Sequence, residues 1–160
     1  MSDARRLDEV SIFNDKLTFL IPHEWIEVES GEDGTYLYQV PDARSGWFRV
    51  SLITIANAAS PADRLAELFR NQENVSAAET AGYLIRRAEK DSEQDGTPLH
   101  IFYWFVGGCV PPSSVCEAVF SYTVLSNALA SDDTRSEVML LGQLVSKARF
   151  NPAAWTNGET

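Results

Sequence analysis

His23 and His100 are the two histidines of the chain, and Cys109 and Cys116 its two cysteines. These four side chains carry most of its capacity for metal binding or nucleophilic chemistry. A zinc site needs such ligands at short, repeated spacings. The histidines stand far apart in sequence, and the cysteines flank a Gly/Pro stretch instead of forming Cys-x-x-Cys, so no metal site is expected. Cys109 has no cationic neighbour in sequence to hold a thiolate, which argues against a Cys–His nucleophile. If residues 107–114 form a hairpin loop, the two cysteines could lie nearly opposite each other, and a cross-hairpin disulfide is geometrically conceivable. Two free thiols are the default in a reducing compartment. His100 reads as a strand residue satisfied by a neighbour, and His23 as an exposed turn residue. The carboxylates Glu27, Glu29, Glu32 and Asp33 cluster as a solvated face without EF-hand spacing. Phosphate-loop, dinucleotide, nucleophile-elbow and zincin motifs are absent. No catalytic residue and no cofactor is expected.

Aromatic residues offer a different chemistry, that of contact. Tyr36, Tyr38, Trp47, Phe48, Phe102, Tyr103, Trp104, Phe105 and Tyr122 fall on at least three predicted strands. Most must build a core. One parity, such as Tyr103 with Phe105 or Tyr36 with Tyr38, is the candidate for an open face, because exposed aromatic patches mark binding surfaces. The candidate partner-binding residues are therefore Tyr36, Tyr38, Trp47, Tyr103 and Phe105.

The elements that must position them follow from periodicity. Leu99–Val106 is apolar on both parities, which predicts a central strand hidden on both faces. Strands are expected over Ser11–Phe13 and Leu17–Ile21, with an Asn14-Asp15 turn between them, and over Ile26–Glu29 with an acidic outer face. Tyr36–Val40, Trp47–Ala56, Tyr83–Lys90 and Val115–Leu125 complete the set, with turns at residues 30–34, 41–46 and 92–96 and a loop over 107–114. Glu73–Ala81 reads as irregular. Ser60 as cap, Pro61 at the first position and an Ala62, Leu65, Leu68, Phe69 stripe predict a helix over Pro61–Gln72. The Thr134/Glu137 spacing and the Val138, Leu141, Leu144, Val145, Ala148 stripe predict a second over Arg135–Ala148. The fold class expected is α+β: an antiparallel sheet of about six or seven strands flanked by two main helices. Residues 1–10 read as a flexible leader, 11–152 as a single domain and 153–160 as a flexible tail.

Composition bounds the partners. With 23 acidic and 13 basic residues, the 160-residue chain carries a net charge of −10. Its basic residues are scattered, which disfavours nucleic acid. A basic protein partner suits the acidic surface. No signal-peptide pattern and no membrane-length apolar run occurs, so a soluble cytoplasmic protein is expected.

The order Phe13, Leu17-Thr18-Phe19-Leu20-Ile21-Pro22, then Trp25 resembles the opening of PsbP-like and Mog-like proteins. Their usual form is Pro-x-Gly-Trp, and here Glu24 stands at the glycine. The Trp47–Ala56 strand, the Ser60-capped helix, the three-strand meander and a closing helix near Phe150 extend the resemblance over Ile12–Pro152. It implies an antiparallel sheet flanked by helices and a mostly non-enzymatic family. That family includes a photosystem accessory protein, a Ran-binding factor, DcrB-like lipoproteins and cytoplasmic chaperones of type VI secretion effectors. The function expected is protein binding in a bacterial cytoplasm, as an adaptor, effector chaperone or immunity-type protein, with a homodimer through the sheet face as a further possibility. The alternative is a small hydrolase or ligand-binding domain with a pocket at one end of the sheet. The alternative requires a deep pocket with convergent polar groups and a perturbed titratable residue.

Overall fold

The computed structural model describes residues 6–30, 34–39 and 46–156. The larger of its two antiparallel sheets runs, edge to edge, β3 (Ile26–Ser30), β4 (Thr35–Gln39), β5 (Trp47–Ile55), β9 (Ser114–Leu125), β8 (Thr97–Val110), β7 (Leu84–Gln94) and β6 (Val75–Ala77). A smaller sheet places β2 (Leu17–Pro22) between β1 (Leu7–Ile12) and β10 (Arg149–Phe150). The helices are α1 (Pro61–Phe69), α2 (Asp132–Val145) and a single turn, α3 (Ala153–Thr156). This is the expected α+β class, with the sheet flanked by helices.

Strand register divides the side chains of the large sheet into two faces. One row reads Tyr38, Phe48, Tyr122, Phe102, and the next reads Tyr36, Val50, Phe120, Trp104. These belong to the main core, which the small sheet closes with Leu17, Phe19 and Phe150 and α2 closes with Val138, Leu141 and Val145. We call this the core face. The alternate rows, Trp47, Thr123, Ile101 and Arg49, Ser121, Tyr103, form the opposite face. There α1 covers only one end, where Leu65 and Phe69 meet Val115.

Several elements differ from expectation for physical reasons. Residues 7–10, read as leader, form part of β1 because Leu7 to Val10 pair with Pro22 to Phe19. Ala153–Thr156, read as tail, forms α3; Arg6 accepts the His23 N–H through its carbonyl at 2.9 Å, and residues 1–5 and 157–160 lie outside the described residues. So do most of the turns expected at 30–34 and 41–46, and Val40. Gly107 and Gly108 do not make a loop. They extend β8, and the turn is confined to Pro111–Ser113. A Cβ on Gly107 would lie 2.6 Å from the Phe69 ring and 2.8 Å from Leu65, and one on Gly108 2.7 Å from the Tyr83 ring. These glycines therefore serve close packing. In consequence Cys109 and Cys116 fall on opposite parities, Cys109 beside α1 and Cys116 in the main core, and both are free thiols. Ile26 and Val28, expected to point inward, are exposed: Ile26 pairs with Gln39 in the open-face Trp47 row while Glu27 pairs with core-facing Tyr38, and Val28 sits in the bulge between Glu27 and Glu29. Val75–Ala77 is an edge strand where an irregular segment was expected, and β7 continues to Gln94. Leu99–Val106 lies inside β8 as the middle of the β7–β8–β9 meander, while β9 is the sheet's central strand.

α1 starts at Pro61 as expected but stops three residues early, and α2 is displaced at both ends. The Ser60 hydroxyl makes no cap bond, and α1 ends at Phe69 with Arg70 extended. α2 begins three residues earlier than expected, because Ser131 caps it: its Oγ accepts the Thr134 N–H at 3.1 Å.

Candidate functional site

Of the candidate contact residues, Tyr36 and Tyr38 face the core. Tyr38 is 2% exposed, and its hydroxyl is 3.5 Å from Glu27. Burial, with Glu27 adding to it, pushes its pKa well above the usual phenol value. The Tyr36 hydroxyl accepts the Phe13 N–H at 3.3 Å, and the two rings meet edge-on. Both side chains hold the small sheet to the large one. Trp47, Tyr103 and Phe105 share the other parity. Tyr103 and Phe105 stack with centroids 5.9 Å apart, and Phe105 also packs beside α1.

The open face carries more than these three rings. Six large hydrophobic residues are exposed among the described ones. Ile26, Trp47, Ile53 and Leu125, between 38% and 56% exposed, occupy open-face register positions, Val28 sits in the bulge beside them, and Met139 alone lies on α2. Toward the end remote from α1 the face hollows into a groove of about 650 Å³ lined by Leu37, Gln39, Trp47, Arg49, Ile101 and Leu125, among others.

Cations accompany the rings. The Arg86 guanidinium lies 4.0 Å over the Phe105 ring, and the Lys90 ammonium 5.9 Å over that of Tyr103. Glu117 shares this face; burial raises its carboxyl pKa, and Arg86 partly offsets the rise. None of these cations was among the sequence candidates. The available signal was the Asp95-Gly96 turn, from which the pairing of Arg86 with Phe105 can be counted back.

Titratable groups elsewhere have structural partners. His100 Nδ1 is 2.8 Å from Asp91 and Nε2 2.8 Å from Glu89. Burial works against the charged ring, but the two carboxylates outweigh it and raise the His100 pKa. Because they occupy both ring nitrogens, the ring has no lone pair left to offer a metal. Burial also raises the Cys109 thiol pKa and pushes that of Cys116 up to about 11, so neither is poised as a nucleophile. Burial raises Tyr83, whose hydroxyl accepts the Phe150 N–H at 2.8 Å. None of these shifted groups lines the groove.

No family model matches the sequence, and no curated protein matches it. Solved structures do. Yeast (Saccharomyces cerevisiae) Mog1p, a Ran-binding protein, superposes with a TM-score of 0.52 at 10% identity, over 91% of this chain and 96% of its own. The chain has the PsbP/Mog-like fold. LpqN, involved in cell envelope biogenesis of Mycobacterium tuberculosis, shares that fold with a TM-score of 0.54 at 12% identity, over 94% of this chain and 93% of its own. A Bacteroides thetaiotaomicron protein matches with a TM-score of 0.58 at 18% identity over 89% of this chain. The chain spans about half, 48%, of that protein's length. Within the PsbP/Mog-like fold, the meander puts Tyr103, Phe105, Arg86 and Lys90 on one surface.

Proposed function

We propose that this domain is a non-catalytic protein-binding module, working as a cytoplasmic adaptor, effector chaperone or immunity-type protein, and that its partner docks on the open face of the large sheet. The observation that carries this reading is the gathering of Ile26, Trp47, Ile53 and Leu125 on one uncovered face, beside the Tyr103–Phe105 stack. Isolated exposed apolar side chains are ordinary, but several gathered on one uncovered sheet face are a recognition feature. The Ran-binding role of Mog1p supports a protein partner for a PsbP/Mog-like fold. No helix among the described residues is long and apolar enough to cross a membrane. The groove is lined by Leu37, Trp47, Ile101 and Leu125, and none of the groups with a shifted pKa lies along it, which favours docking over hydrolysis.

The test is affinity capture from native lysate with the wild-type protein and with Trp47→Ala/Tyr103→Ala. A partner recovered by the wild type and lost with the double variant, whose circular dichroism is unchanged, supports the reading. The same partner recovered equally by both proteins moves docking off this face. Recovery of no specific partner counts against the function itself.

A further inference from the structure

We infer that the segment docking on the open face is acidic, a stretch of partner protein in which Asp or Glu alternates with apolar side chains. This rests on the docking reading above and adds the partner's chemistry. The chain as a whole carries −10, which at long range favours a basic partner. The middle of the uncovered face, away from the β3 edge and from Glu93 in the groove, has the opposite balance. On β5, β9, β8 and β7 the open-face positions hold Arg49, Arg86 and Lys90 against a single carboxylate, Glu117. On strand β7, Arg86 and Lys90 take open-face register positions, while Arg87, Glu89 and Asp91 alternate to the other side, and Glu93 borders the groove at the strand's far end. On that other side Glu89 and Asp91 are engaged by His100. At contact, screening makes this local balance count for more than distant surface charge.

The three cations form no ion pair among the described residues, whereas Arg64, Arg135 and Arg149 each have one, with Glu67, Asp132 and Glu9. Arg86 and Lys90 set their charged groups over aromatic rings, which orient them but leave N–H groups for a carboxylate. Their separation of four strand positions is about 13 Å, the repeat of two acidic side chains four residues apart in an extended segment. The residue between those two would meet the surface near Tyr103. Arg49 lies in the Tyr103 row, about 10 Å across two strand spacings. A second copy of this chain would set the same three cations against themselves. Nucleic acid would meet a strongly acidic protein and rings already faced by cations.

Panning a random peptide library of about 12 residues on the full-length protein at physiological salt tests the inference. Selected peptides would be synthesised and titrated calorimetrically against the wild type, Lys90→Glu, Arg86→Glu/Lys90→Glu and Tyr103→Ala. Acidic peptides with apolar residues between their carboxylates are expected. Their affinity should fall about tenfold or more in the charge-reversed double variant and measurably in the exposed single variant Lys90→Glu, which guards against misfolding. Basic or neutral peptides that need Tyr103 but ignore charge reversal overturn the acidic partner and leave the docking face standing. No selected peptide sensitive to Tyr103→Ala overturns both. Tighter binding of an oligouridylate than of any peptide, or a dimer mass by light scattering that Tyr103→Ala abolishes, overturns the inference in favour of nucleic acid or a second copy.

Discussion

His100 shows how one side chain links packing to pH. Its ring lies edge-on to Phe102, centroids 4.9 Å apart, and donates to carboxylates at both nitrogens only when protonated. The folded-state pKa is raised above the usual value of about 6.5. Its stabilising contribution is therefore fully present below that value and is lost as pH rises through the raised folded value. Asp91 and Glu89 are 88% and 59% exposed, so solvent screening limits each pair to about 1 kcal/mol or less. We expect Glu89→Gln/Asp91→Asn to lower the urea midpoint at pH 5 and to cost much less at pH 9. Equal losses at both pH values would show that the carboxylates do not act through the imidazolium. His100 was legible in the sequence as a satisfied strand residue, because a lone His in an apolar run must find partners. Its two partners were not named, since they depend on pairing across β7.

At the scale of elements, two serines that look alike in sequence behave differently. Ser131 caps α2 with its hydroxyl, whereas the Ser60 hydroxyl makes no cap bond and α1 starts on Pro61. Ser131→Ala should cost about 1 kcal/mol and Ser60→Ala under about 0.5, both read from urea unfolding. A cost at Ser60 equal to that at Ser131 would refute the assignment. The apolar stripes of both helices were legible because 3.6-residue spacing survives without knowledge of the neighbours. The start of α1 at Pro61 was legible too, but the start of α2 was not, because Thr134/Glu137 also carries capping chemistry and only backbone geometry shows that Ser131 is the cap. The same limit explains Gly107. A Gly-Gly pair before Pro-Pro reads as loop, yet α1 approaches β8 so closely that the strand needs a residue without Cβ. Gly107→Ala should destabilise by about 1–3 kcal/mol, the usual penalty of overpacking. A neutral Gly107→Ala would mean that Phe69 and Leu65 can withdraw freely.

For the whole molecule, the difference between the two sheet faces follows from where the chain ends return. β1, β2 and β10 come from opposite ends of the described chain and close together over the aromatic rows of the core face. Asn151 ties this junction: its side chain donates to the Thr18 hydroxyl at 2.8 Å, and its backbone N–H to the Lys16 carbonyl at 3.0 Å. Sequence alternation announced that each strand of the large sheet has two faces, but not which one the ends would cover. That choice depends on contacts far apart in sequence, so Tyr36/Tyr38 and Tyr103/Phe105 were equal candidates until the register separated them. Stability should reflect the same asymmetry. Phe150, 4% exposed, stacks on Tyr83 at 5.2 Å and donates its N–H to the Tyr83 hydroxyl. Removing its ring opens a cavity where the small sheet meets the core, so Phe150→Ala should cost about 3–5 kcal/mol. Trp47 is as large but lies on the uncovered face, 40% exposed, where water can refill the space its ring leaves. Trp47→Ala should cost less than about 1.5 kcal/mol, within the usual spread of single substitutions away from a packed core. Urea unfolding of the two variants beside the wild type checks both values. Losses of similar size would mean that the open face is packed as a core and is not available for docking.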